Sequence, residues 1–156
     1  MDQTNDPDAD AREILETNAY MVLATADEDG NPWASPVWFA ADGYATFYWV
    51  SSPGVQHSVN IAARPRVYIV VFDSTVPIST GQAVYMSGSA EQVTDPGEID
   101  RGMEIFSRES LAQGARAWTA ADVWQPEALR LYRARVTRHW VLDRVNGRDR
   151  RVSVNP

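Results

Sequence analysis

The stretch Tyr48–Asp73, reading YWVSSPGVQHSVNIAARPRVYIVVFD, restricts the fold more than any other part of the chain. Tyr44 to Val50 is rich in aromatic and β-branched residues, and Val67 to Phe72 is an unbroken apolar run, so both read as strands. Between them Pro65 stops a short helix by disfavouring the helical conformation at Arg64, while Ser52 is expected to cap its start with Pro53 at the first helical position. Helical spacing puts Val55, Val59 and Ala62 on one face, expected to pack, and His57, Asn60 and Arg64 on another, expected to face a ligand or solvent. Hydroxyls at a strand end, free N–H groups of a helix start and an imidazole one turn in would together seat a phosphate or carboxylate. The same residues also fit an ordinary helix start carrying a surface histidine.

Before this stretch, Asp10 and Glu13 resemble a capping box for a helix through Thr17 that buries Ile14 and Leu15. Tyr20–Ala26 and Pro32–Ala40 read as strands joined at Asp27–Gly30, and Asp42-Gly43 marks a further hairpin. After it, Ala83–Val93 reads as a strand, and Asp95, Pro96 and Glu98 supply cap, first turn and capping-box partner for a helix carrying Ile99, Met103 and Phe106. Gly114 ends that helix. Trp118 and Trp124 lie in an irregular segment and are expected to cover a core edge or a ligand. Leu129–Asp143 alternates as a strand, with Tyr132, Ala134, Val136, Trp140 and Leu142 on one face and Arg133, Arg135, Thr137 and His139 on the other. Asn146-Gly147 signals a hairpin into a last strand near Arg150–Val154. The pattern predicts a mainly β protein with α+β additions, built on a small antiparallel barrel. Residues 1–8 are expected to be disordered and 9–156 to form a single domain.

Charge and composition exclude several functions. A net charge of −7 argues against nucleic acid and acidic membranes as partners. No apolar run reaches the length of a membrane span, and the acidic start does not resemble a secretory signal, so a cytoplasmic location is expected. With no cysteine and only His57 and His139, no thiolate nucleophile is available and no metal site is predicted. The chain has no lysine: all fourteen basic residues are arginine, which rules out Schiff-base chemistry. Eight of these arginines lie from Arg130 onward, either as a solvated strand face or as an anion or subunit contact. No P-loop or G-x-G-x-x-G turn is present.

The order of elements, carried by LATADEDGNPWASPVWF, VSSPGVQHSVNI, ARPRVYIVV and AVYMSGSAEQV, resembles the pyridoxamine 5′-phosphate oxidase-like family over roughly Ala19–Val93. The resemblance implies a six-stranded antiparallel split β-barrel with short helices, a homodimer, and a cofactor in a groove between subunits. FMN is the cofactor expected first, serving hydride transfer to or from a small-molecule substrate. The deazaflavin F420 is an alternative, as is a non-catalytic protein holding flavin or haem, with His57 or His139 as axial ligand. The family's phosphate seat has a hydroxyl at the end of the third strand and a basic residue six positions on, places matched here by Ser51 and His57. The resemblance extends cofactor contact to Ser35, Pro36, Val37 and Trp38 on the second strand, to Val50, Ser52, Gln56 and Asn60 around the seat, and to Gln82, one position out of register. The oxidases' basic-x-Val-Leu-Leu-Lys motif has its two basic ends replaced by Ser35 and Ala40, and their Arg-x-His substrate motif is not found in that form. True pyridoxamine phosphate oxidation is therefore not expected, and no catalytic residue is assigned.

Overall fold

Turn chemistry near the start of the chain lays down a meander. In the computed structural model, which describes residues 6–143 and 150–156, helix α1 (Pro7–Thr17) is followed by strands β1 (Tyr20–Ala26) and β2 (Pro32–Trp38). The Asp27 carboxylate accepts the N–H groups of Asp29 and Asn31, and Gly30 takes a φ of +87°, which reverses the chain between these strands. Phe39 then breaks the run expected to continue to Ala40. A separate strand, β3 (Ala40–Asp42), turns at Gly43 into β4 (Thr46–Ser51). The remaining elements are α2 (Gln56–Ala63), β5 (Arg66–Phe72), β6 (Ala83–Gln92), α3 (Pro96–Ala112), a 3-10 turn (Ala120–Val123), β7 (Arg130–Leu142) and β8 (Arg151–Val154). The Asn146-Gly147 hairpin signal lies outside the described residues.

All pairings are antiparallel, in the order β2-β1-β5-β6-β7-β4-β3, with β8 added on β7. The two outermost strands, β2 and β3, are separated in sequence by Phe39 alone, so the sheet must curl back on itself. A mainly β, curled half-barrel with three short helices results, as expected. The strand number is a correction: seven strands form the ring and β8 is an eighth, against the six expected, because the second strand splits at Phe39 and β8 joins outside the ring.

Strand β4 is buried on both faces and feeds two cores. Phe47 and Trp49 point into the barrel with Leu23, Ile69, Met86, Tyr132 and the Ala11 and Leu15 side chains of α1. Tyr48 points outward under α3, among Ile99, Met103, Phe106 and Leu131. Each such large apolar side chain contributes about 1.5–3 kcal/mol on burial. Trp118 covers the edge of this second core, edge-on to Phe106 at 5.4 Å, whereas Trp124 is exposed.

Several local expectations are corrected. Helix α1 is capped by Asp6, not Asp10: Asp6 accepts the Asp8 N–H at 3.1 Å and Pro7 takes the first position, where its missing N–H costs nothing. Helix α1 therefore begins at Pro7, within the first eight residues. Asp95 does cap α3, but Glu98 does not complete a box; its carboxylate turns to Tyr48 and Arg133 instead. Helix α2 starts at Gln56 with Val55 at the cap, because Ser52-Pro53 makes a turn first. Its faces are also reversed: His57, Ser58, Asn60 and Ile61 are buried while Val55 and Val59 are exposed. Finally, β7 changes phase. A bulge opposite Ser87-Gly88 places one extra residue in β7, so Tyr132, Ala134 and Val136 face the interior core before it and His139 and Val141 face inward after it. Trp140 and Leu142, expected on the Tyr132 face, stand on the other.

Candidate functional site

Ser51 ends β4 on the same side of the strand as Phe47 and Trp49, and α2 begins a few residues later. This brings Ser51 Oγ to 2.9 Å from His57 Nε2. Ser52 Oγ accepts the Gly54 N–H at 3.3 Å, tightening the turn between them. Among the described residues no side chain caps α2, which leaves its first-turn N–H groups and the positive end of the helix dipole open to a ligand. Ser51, Ser52, Gln56 and His57 are thus gathered at one end of the barrel. The arrangement offers donors and a titratable ring to an oxyanion.

The other residues expected at the site are distributed differently. Asn60 is buried and structural: its amide donates to Thr25 Oγ1 at 3.0 Å and accepts from Gln56 Nε2 at 2.7 Å, pinning α2 to β1. On β2, against which α2 also packs, Ser35 Oγ accepts from the Trp33 indole at 2.8 Å and Val37 joins the interior core, while Pro36 is exposed. Trp38 is committed to α3, donating to Gln113 at 2.9 Å and meeting Phe106 edge-on at 4.5 Å. Val50 packs on that same outer cluster. Gln82 acts as a clamp: its Oε1 accepts the Leu142 and Ala83 N–H groups and its Nε2 donates to the Leu142 carbonyl. It therefore sits at the end of β7 opposite to Arg130, the residue paired with Ser51. Within one chain Gln82 does not join the seat.

Ser58 was not legible as a site residue. It is buried in the first turn of α2, next to His57, and its Oγ has no hydrogen-bond partner among the described residues. The indole N–H of Trp49, two residues before Ser51 on the same strand face, is likewise buried and unpaired. Unmet buried polar groups cost free energy, so each marks a place where a further polar group, such as a water, can be received.

Both histidines are held with a pKa below the usual 6.5, His57 by burial, and His139 by burial against a smaller opposing pull from the Tyr44 carbonyl, 2.6 Å from its Nε2. On acidification the unfolded chain takes up these protons first, so the folded state loses stability as pH falls below about 6.5 and keeps losing it down to the depressed values. Urea midpoints measured between about pH 8 and pH 5, above most carboxylate titration, should decline toward the acid end, and His139→Gln should flatten that decline. A midpoint constant across this range would show that both rings titrate as they do in the unfolded chain.

The sequence matches the family model described as pyridoxamine 5′-phosphate oxidase over residues 7–137, and the chain belongs to that family. Its fold is shared with solved structures of low sequence identity. A heme binding protein from Mycobacterium smegmatis is 23% identical with a TM-score of 0.70, the match covering 91% of this chain and 55% of that one. An F420 reductase is 22% identical with a TM-score of 0.61, over 83% of this chain and 94% of its own. A conserved hypothetical protein from Mycobacterium tuberculosis is 22% identical with a TM-score of 0.67, over 100% and 98% of the two chains. No functionally curated protein matches the sequence. Among the described residues no helix is long and apolar enough to cross a membrane.

Proposed function

We propose that this protein is an FMN-dependent oxidoreductase that transfers hydride to or from a small molecule and works as a homodimer. The observation that carries the reading is the Ser51–His57 pair at the start of α2, with the Ser52 hydroxyl and uncapped helix N–H groups beside it. When bound, the flavin supplies the hydride chemistry. Ser51, Ser52 and the first turn of α2 would hold the phosphate, and His57, neutral and buried in the free protein, would take up a proton to balance it. Ser35 to Val37 would border the ring. A second copy of the chain would cover the end of the outer sheet face away from Arg66, where Tyr20 and Phe72 are exposed and Val22 and Val70 are half-buried.

The haem alternative is the less favoured, since both imidazole Nε2 atoms are already engaged, with Ser51 and with the Tyr44 carbonyl. F420 remains the second reading. It carries a phosphodiester where FMN carries a phosphomonoester, and the spectrum of the bound cofactor separates them.

Reconstitution with FMN and a titration of the bound flavin spectrum test the proposal. Loss of a hydrogen bond to a charged group costs about 1.5–3 kcal/mol, so the Ser51→Ala, Ser52→Ala double variant should bind FMN roughly ten- to a hundredfold more weakly. Because binding raises the pKa of His57, affinity should also fall as pH rises through the window between the free and bound values. Equal affinity in parent and double variant would overturn this seat, and uptake of F420 in preference to FMN would replace the first reading with the second.

A further inference from the structure

On the outer side of the barrel, a groove crosses β5, β6 and β7, lined in part by Arg66, Tyr68, Ser87, Ser89, Thr137 and Arg138. The register sets Arg66 opposite Ser89 and Arg138 opposite Ser87. The two arginines therefore flank β6 from either side, and β6 presents only hydroxymethyl side chains between them. Two inter-strand spacings separate β5 from β7, about 10 Å, a gap that long arginine side chains can close over small residues.

The bulge in β7 is what makes this arrangement. Under strict alternation from Arg133 and Arg135, the next outward position would be Thr137; the extra residue turns Arg138 outward in its place, opposite Ser87. Thr137 then donates to the Ser87 carbonyl at 3.3 Å and holds the bulge shut.

The charges here are uncompensated. Arg12, Arg101, Arg108, Arg116 and Arg133 each have a carboxylate partner, whereas Arg66 and Arg138, like Arg135 opposite Ser89 on β7, have neither an ion pair nor a hydrogen bond from the guanidinium among the described residues. The Ser87 and Ser89 hydroxyls have no partner there either. Among the described residues no acidic side chain lines the groove. In a protein of net charge −7, a walled basic groove concentrates anions locally against the overall field.

We propose that this groove binds a compact oxyanion, the phosphate or carboxylate group of a small molecule, through Arg66 and Arg138 with Ser87 and Ser89 beneath. Planar guanidinium groups approaching from two sides give such an anion charge-assisted, bidentate hydrogen bonds, and the serine hydroxyls meet its remaining lone pairs. The site is separate from the Ser51–His57 seat and does not depend on the flavin reading.

Calorimetric titration of the flavin-free full chain at low ionic strength, with pyrophosphate in one arm and tricarballylate in the other, tests it. At least one anion should bind the parent, and the Arg66→Gln, Arg138→Gln double variant should lose at least tenfold in affinity while keeping the parent's thermal midpoint. Binding should persist in Ser51→Ala, Ser52→Ala, which separates this groove from the cofactor seat, and in Arg108→Gln on α3. A preference for pyrophosphate would identify a phosphoryl ligand and a preference for tricarballylate a carboxylate one. The proposal fails if neither anion binds the parent, or if the double arginine variant binds as the parent does.

Discussion

Gly88→Ala is expected to destabilise the protein by about 4 kcal/mol or more, among the largest effects a single methyl group can have. A Cβ at this position would lie 2.1 Å from the Arg135 carbonyl oxygen and 2.9 Å from the Val136 Cα. These are backbone atoms of the neighbouring strand and cannot rotate away. β6 and β7 would have to part at the bulge, in the middle of the sheet's long central pairing. For a domain of this size each kcal/mol moves the melting temperature by roughly 2–4 °C, so a fall of roughly 8–16 °C is expected by calorimetry. Gly54→Ala is the control, since its Cβ would meet only Ser52 Oγ, at 3.9 Å. If the two variants melt together, the bulge yields and the steric argument is wrong.

The second large effect lies under α3, and it reverses the usual ranking of charged residues. Arg133 is buried with its side chain 9% exposed; it pairs with Glu91 and reaches Glu98 at 2.6 Å, and its Nε has no partner among the described residues. Glu98 also accepts the Tyr48 hydroxyl at 2.7 Å. Glu98→Ala strands both Tyr48 and one end of a buried guanidinium, an expected cost of about 2–4 kcal/mol. Arg133→Met instead removes the buried charge along with its unmet Nε, and leaves Glu98 with Tyr48 and water. Its expected cost is about 1 kcal/mol or less, since a well-packed apolar side chain often replaces a buried ion without loss. Denaturant unfolding of the two variants checks the order; Arg133→Met as the more damaging change would mean that the ion pairs themselves hold α3 down.

The same cluster sets limits in pH. Burial first, and then the bond to Glu98, push the Tyr48 pKa up to about 12, so its contribution is complete below about pH 10 and is lost as pH rises toward 12. The Tyr48 bond in turn holds the Glu98 carboxyl below the usual range, so that contribution survives mild acid and is lost as pH falls through the lowered value.

Hairpin chemistry made most of the fold legible, because Asp27–Gly30, Gly43 and Pro65 act on their own neighbours. What could not be read locally depended on partners far along the chain. The polar side chains of α2 were expected to face outward because helical spacing reports polarity, not who satisfies it; Ser51 and Thr25, on two different strands, turn His57 and Asn60 inward. The alternation in β7 fails at Thr137 because Gly88, on another strand, admits the bulge. The Ser51–His57 pair was legible from a six-residue spacing and the family resemblance. Gln82 was not: nothing in its own surroundings distinguishes a ring contact from a clamp on Leu142.

The Asn155 N–H, just beyond β8, donates to the Asp8 carboxylate in the first turn of α1 at 2.9 Å. Any polypeptide joined before α1 and any joined after β8 would therefore leave the domain from one patch. A partner fused at either side would pivot about the same point, and a tether at both would anchor the barrel like a pendant instead of stringing it between its neighbours.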